Sequence, residues 1–235
     1  MICPARKACS AALSSACCAS DTAGSEIYTI FFKDLVTGAL LPDQITNAYY
    51  GVEWANDNRT LFYNVLDDAL RPYKAFRHTL GSGQDEDALV YHEADQAFDL
   101  NIAKTRSSAY LLITLESTTS TEVRFAAADQ PNVDFAVVQP RLPAVEYSVE
   151  HHGDSLLIVT NQQAQNFKLV TVPVATPGWE HWRDLIAHRA DVLVDGIDVF
   201  RDHLAVYERA GGLKRIRISR PDAGAASYEI GRAHV

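Results

Sequence analysis

After Cys18 the chain contains no cysteine: all four (Cys3, Cys9, Cys17, Cys18) fall within the first 18 of its 235 residues. A disulfide framework spreads cysteines through a fold, so the body of this protein is not stapled and a reducing, cytoplasmic compartment is expected. Long hydrophobic runs are also missing. No stretch reaches the roughly 18 consecutive apolar residues of a membrane-spanning helix, so no membrane role is expected. Basic residues are outnumbered, 21 Lys and Arg against 30 Asp and Glu, for a net charge of −9. That balance excludes nucleic acid as the main partner, since phosphate neutralisation needs a basic surface. It would suit a basic ligand, which an acidic surface attracts over a distance.

Signatures of chemistry are sparse as well. Gly81-Ser82-Gly83 lacks the Gly-x-Ser-x-Gly spacing of a hydrolase elbow and reads as a turn before an acidic loop. It has no Gly-Lys-Ser/Thr and so cannot cradle a phosphate. His151 and His152 are adjacent, hence on opposite faces of a strand, and neither they nor His181 and His188 sit in a zinc-ligand pattern. No metal site and no cofactor are expected. Arg215, Arg217 and Arg220 run beside Ile216 and Ile218, the pattern of a solvated strand face. No nucleophile, base and oxyanion hole can be assembled, so catalytic residues are none.

What the sequence does contain is a repeat. "GVEWANDNRTLFYNV" (51–65) runs apolar, polar turn, apolar, and the form recurs at "TRSSAYLLITLE", "HHGDSLLIVTN" and "FRDHLAVYER". The anchors Leu61, Leu111, Leu156 and Leu204 are 50, 45 and 48 residues apart. A second element, anchored on Ile30, Phe76, Val123, Leu169 and Ile216, returns after 46, 47, 46 and 47 residues. Runs such as "LLIT" and "LLIV" are continuous, as in strands buried on both faces, whereas "TEVRFAAA" alternates. One further short piece precedes each turn ("FDLNIAKT") and another closes the unit ("ALVYHE"). About four strands per roughly 47 residues is the period of a β-propeller blade. "TPGWEHWRDLIAHR" has a helix-like apolar face, but its place in the period makes it an outer strand and loop. The fold class expected is therefore all-β: a partial β-propeller of four to five four-stranded antiparallel blades. Glu93 and Asp95, in "YHEADQAFDL", precede an inner strand on a loop crossing between blades, where one mouth of a central channel is lined. Arg141, in "QPRLPAVEY", occupies the equivalent loop one blade later.

"VEWANDNRTLFY", "RPYKAFRHTLG", "EADQAF", "EYSVEHHGDSLLIVTNQQAQNFKL" and "ERAGGLKRIRI" resemble, in this order, the N-terminal propeller of serine peptidases of the prolyl oligopeptidase family, the oligopeptidase B branch above all. "SDTAGSEIYTIFFKDLVTGALLPDQI" is similar to the stretch where that family's first blades begin, and the likeness covers residues 20–228. It implies a seven-bladed, non-catalytic propeller over an α/β-hydrolase domain in cis that carries the Ser, Asp and His triad. It implies cleavage of short, basic peptides after Lys or Arg, with the propeller filtering access, and no activity from these residues alone. Glu93, Asp95 and Arg141, singled out by their place in the repeat, are the substrate-channel or interdomain candidates. Ala94 stands where relatives carry a basic residue, so loop-level binding is not transferred. An alternative is a self-contained five-bladed module binding a ligand or glycan, since five units of about 47 residues fill the length.

The ends depart from the likeness. Residues 1–19 read as an unmatched Cys/Ala/Ser-rich leader outside the fold; their basic start and small residues have the outline of an export signal without its leucine-rich centre. Residues 229–235 match one reading frame of a common sequencing adaptor, so a coding sequence truncated at an assembly boundary is expected.

Overall fold

A computed structural model describes residues 15–21, 23–220 and 227–230. Their regular structure is strand, apart from two single 3-10 turns at Gln84–Glu86 and Trp179–His181. The first sheet has three strands, β1 (Ser15–Ser20), β2 (Tyr28–Asp34) and β3 (Leu40–Ala48). The second holds β4 (Val52–Trp54), β5 (Thr60–Leu66), β6 (Pro72–Thr79) and β7 (Ala88–His92). The third holds β8 (Asp99–Lys104), β9 (Tyr110–Glu116), β10 (Thr121–Ala127) and β11 (Ala136–Gln139). The fourth holds β12 (Tyr147–His152), β13 (Ser155–Thr160), β14 (Lys168–Pro173) and β15 (Arg183–Ile186). The fifth holds β16 (Val192–Val199), β17 (Leu204–Ala210), β18 (Leu213–Ser219) and β19 (Ser227–Ile230). Each sheet is an up-and-down meander whose neighbours in space are neighbours in sequence. The expected four-stranded units are present, and the ambiguous segment near Trp179 is indeed a turn followed by the outer strand β15.

The turns are built by their own side chains. In the second sheet Asp57 accepts bonds from the Arg59 and Thr60 amides, each 2.9 Å, and from the Thr60 hydroxyl at 2.6 Å, while Asn58 takes a left-handed φ of 57°. Thr105 does the equivalent in the third, accepting the Tyr110 amide on its hydroxyl, with Ser108 at φ 60°. Asp and Asn favour such turns because their short side chains bond the backbone locally. Farther out, the pairing slips by a bulge at Ala75/Phe76, Val123/Arg124 and Leu169/Val170. The repeat anchors Phe76, Val123 and Leu169 thus mark the place where the third strand bends away from the fourth.

The chain forms two compact units. The first takes the chain through Lys104 with Leu111–Glu116 and Ala126–Phe135; the second takes Thr105–Tyr110, Ser117–Phe125 and the chain from Ala136. In the first unit, Ile30, Phe32 and Ile45 pack on Trp54, Leu61 and Tyr63. Phe62, from the opposite face of β5, joins Leu100, Ile102, Leu111, Ile113 and Leu115 in a second layer. Successive residues of a strand point to opposite faces, so "LFY" must be apolar throughout when both faces are covered. Each such side chain contributes about 1.5–3 kcal/mol by leaving water. Gly51 lets β4 approach Asn64: a Cβ there would lie 2.8 Å from the Asn64 amide. Asn64 is fully buried and donates to the Leu100 carbonyl at 3.0 Å. In the second unit, Leu157, Val159 and Leu169 pack on Val194, Leu204 and Val206.

Two expectations are corrected. The fold does not begin at residue 20: Ser15–Ser20 forms β1, paired along its length with β2, and Cys17 and Ala19 lie in the first core layer. Its side chains are too small to make an apolar run, so backbone pairing carries the strand. Cys18, in the same strand, is disulfide-bonded. Residues 1–14 of the leader and 231–235 of the adaptor-like tail lie outside the described residues. Arg217 is not on a solvated face. Buried Glu208 needs countercharge, and both Arg217 and Arg189 bond its Oε1, while Ile216 points outward at 37% exposure.

Candidate functional site

Glu93 and Asp95 follow β7 and lead into β8, as expected of a loop between consecutive sheets. Their roles diverge. Glu93 is buried at 4% exposure, where its Oε1 accepts the Asp95 amide at 2.8 Å. Asp95 is exposed, and its carboxylate accepts the Ala97 amide at 3.0 Å. The organiser of the loop is Arg71, in the β5–β6 hairpin. Its Nε donates to Asp67 at 2.9 Å, and its Nη1 donates to the carbonyls of Phe98 at 2.7 Å and Asp95 at 3.2 Å. Nη2 reaches the Glu93 carbonyl at 3.3 Å. Only a guanidinium spreads donors over that many acceptors in one plane. Sequence reasoning passed over Arg71, because a residue 22 positions upstream in a different turn carries no spacing cue.

Arg141 lies in the corresponding loop between β11 and β12, in the second unit. Its amide donates to Glu122 Oε2 at 3.2 Å and its Nε lies 3.6 Å from the same oxygen. Glu122 is buried and also bonded to Arg124 at 2.9 Å, so Arg141 completes an Arg–Glu–Arg cluster. Tyr147 fastens the loop, donating to the Gln139 carbonyl at 2.5 Å and accepting the Val123 amide at 2.8 Å. Burial pushes the Tyr147 hydroxyl pKa far above its usual range, so it stays a donor. The structure brings Glu93 and Asp95 together in one loop and places Arg141 in its counterpart in the second unit.

The second unit also contains a cleft that the sequence did not announce, of about 500 Å³. Three turns line it, each joining the first and second strands of a sheet. Arg106 and Ser107 come from the β8–β9 turn, His152 and Gly153 from β12–β13, and Phe200 and Arg201 from β16–β17. Arg141 precedes β12 and His152 ends it, so the cleft and the Arg141 loop lie at opposite ends of that strand. Arg106 Nη1 pairs with Asp198 at 2.8 Å, and its guanidinium stacks 4.3 Å from the Phe200 ring centre. Asp198 also accepts the Tyr207 hydroxyl at 2.6 Å. Glu150 accepts the Arg106 amide at 3.1 Å; burial nevertheless raises its carboxyl pKa.

The histidine side chains diverge as adjacent strand residues must. His151 Nδ1 meets the Ser107 hydroxyl at 2.9 Å, with the Tyr110 ring edge-on at 4.7 Å, and burial lowers its pKa below the ordinary 6.5. His152 Nε2 donates to the Arg201 carbonyl at 2.9 Å. Ser107 is shared with Thr105 Oγ1 at 3.0 Å and the Ala109 amide at 3.2 Å, which ties the hydroxyl into the turn. Among the described residues, no group of three His, Cys, Asp or Glu could hold a metal ion. Among the described residues of the cleft, the hydroxyl of Ser107 and the ring of His151 are tied to the turn and to each other.

Comparison with known proteins identifies the family and the fold. The family model described as prolyl oligopeptidase, N-terminal beta-propeller domain, matches residues 9–233. Dipeptidyl aminopeptidase BI of Pseudoxanthomonas mexicana is 42% identical over 212 residues, 89% of this chain and 29% of the relative. Protease 2 of Moraxella lacunata is 34% identical over 195 residues, 82% of this chain and 28% of the relative. The solved oligopeptidase B of Leishmania major superposes with a TM-score of 0.86 at 31% identity, over 92% of this chain and 32% of that one. The chain thus spans under a third of the length of these relatives. It belongs to the family of the prolyl oligopeptidase N-terminal β-propeller domain.

Proposed function

We propose that this chain is the non-catalytic propeller part of a serine oligopeptidase of the oligopeptidase B type. In the whole enzyme it controls access of short peptides to an α/β-hydrolase domain in cis, which cleaves after Lys or Arg. The observation that supports this best is the family match over residues 9–233, coupled to sheets that return at the period read from the sequence. A chain of net charge −9 suits basic peptides. In this reading Asp95 and Arg141 face the peptide or the hydrolase domain, and Glu93 positions Asp95 from beneath. The self-contained five-bladed module rests on the repeat arithmetic alone.

Two measurements test the proposal. DNA read past codon 228 is expected to continue in frame into further blades and a Gly-x-Ser-x-Gly motif; a genuine stop there overturns it. The purified 235-residue chain is expected to leave Arg- and Lys-containing peptides intact, and hydrolysis that survives repurification overturns it. The cytoplasm is the proposed compartment, because residues 19–235 contain no cysteine. A Cys18 disulfide that persists in cells lysed with a thiol-blocking reagent would argue for export.

A further inference from the structure

The cleft of the second unit has no part in the access reading, which concerns the opposite end of β12. Arg106 is answered by two carboxylates, Asp198 in an ion pair and Glu150 at its amide. Asp198 is the carboxylate in ion pair with Arg106, and its other oxygen is engaged by Tyr207. Arg201 is exposed, and among the described residues its guanidinium has no ion-pair or hydrogen-bond partner. Arg201 is thus the cleft's cation without a partner among the described residues. Beside it Phe200 is 44% exposed, with Arg106 stacked on its ring. Gly153, at a left-handed φ of 59°, has nothing within 4 Å of where a Cβ would stand, so that wall of the cleft carries no side chain. His151 is held towards neutrality by burial, so it adds hydrogen-bonding capacity without a second cation.

We propose that this cleft binds the C-terminal carboxylate of a short peptide, with the carboxylate on Arg201 and an apolar or aromatic terminal side chain on Phe200. Arginine matches a carboxylate with two parallel donors, and an aromatic ring with one face already occupied still offers its edge and remaining surface to an apolar group. A volume of about 500 Å³ falls in the range of small-ligand pockets and accommodates a di- or tripeptide. The choice of a peptide as the carrier of the carboxylate rests on the proposed function; the anion site itself does not.

The test follows amide shifts of the isotopically labelled 235-residue chain during titration with N-acetyl-Ala-Phe, with its C-terminal amide and with inorganic phosphate. The free acid is expected to move the Ser107, Gly153 and Arg201 amides and to bind at least ~5-fold more tightly than the amide, an effect that weakens as salt screens the charge. Arg201→Gln, on the surface and outside every packed layer, should cost the acid ~5-fold in affinity, and Phe200→Ala a smaller factor of about 3. Equal binding of acid and amide overturns the proposal, as does an Arg201→Gln variant that binds unchanged. Phosphate that matches the acid on the same amides overturns it too, by showing a small-anion site without a peptide. Failure of the peptidase reading would appear separately, in the DNA beyond codon 228.

Discussion

Replacing Arg71 by Met keeps the apolar stem and removes the group that holds the Glu93–Asp95 loop. The side chain of Arg71 is 11% exposed. Its 2.7 Å bond to the Phe98 carbonyl, from a charged donor, contributes about 2 kcal/mol. The longer bonds to the Glu93 and Asp95 carbonyls, at 3.2–3.5 Å, add about 1 kcal/mol together. The partly exposed pair with Asp67 adds at most about 0.5 kcal/mol. Local stability should therefore fall by about 3 kcal/mol, which accelerates exchange through local opening about 100-fold. Native-state hydrogen exchange at Asp95 and Phe98 reads this directly, because their amides bond to Glu93 Oε1 and the Asp95 carbonyl inside the loop. Arg71→Lys should recover under half of the loss, since an ammonium cannot reach Asp67 and three carbonyls in one plane. Acceleration below threefold in Arg71→Met would refute the assignment of Arg71 as the organiser.

Tyr147→Phe should destabilise the second unit by about 1–3 kcal/mol in urea unfolding, because the Val123 amide and Gln139 carbonyl lose their shared hydroxyl partner; an unchanged midpoint would contradict the fastening role. His151 should titrate below its ordinary 6.5 in the native chain, followed by its imidazole proton shifts. A histidine whose pKa is lower folded than unfolded lets the unfolded chain bind more protons, so its contribution is intact above 6.5 and is lost as pH falls below it. Glu150 has the opposite sign, its raised folded pKa favouring the folded state as pH falls towards 4.5. His151→Gln should therefore flatten the stability loss just below pH 6.5, and a midpoint at or above 6.5 in the wild-type chain would refute the burial account.

Much of the fold is legible because strands covered on both faces carry unbroken apolar runs, Leu61–Tyr63 in β5, Leu111–Ile113 in β9, Leu156–Val159 in β13 and Leu204–Val206 in β17. Phe76, Val123 and Leu169 each sit at a bulge, a local geometry that recurs in the second, third and fourth sheets. β1 escaped notice for the converse reason: Ser, Ala and Cys bury little apolar area, and the hydrogen bonds that hold "SACCAS" to β2 leave no mark in composition. At the candidate site, position in the period was enough to put Glu93, Asp95 and Arg141 on loops that join consecutive sheets. Their environments were not readable, since a carboxylate in a loop ordinarily meets water, and the partners that bury Glu93 and engage Arg141 come from other strands and turns. The cleft needs turns from three successive repeats side by side, and nothing within one repeat encodes it.

Asn64 has a consequence for assembly. Five units of similar shape could in principle stack in the wrong sequence or exchange between two molecules, since apolar faces are poor at telling one neighbour from another. The amide of Asn64 donates to a neighbour that offers a carbonyl where Leu100 does, and Gly51, which carries no Cβ, leaves the space that amide occupies. A misplaced neighbour would strand that amide in the dry interior at a cost of about 1–3 kcal/mol. One polar peg between greasy surfaces thus penalises a wrongly seated neighbour.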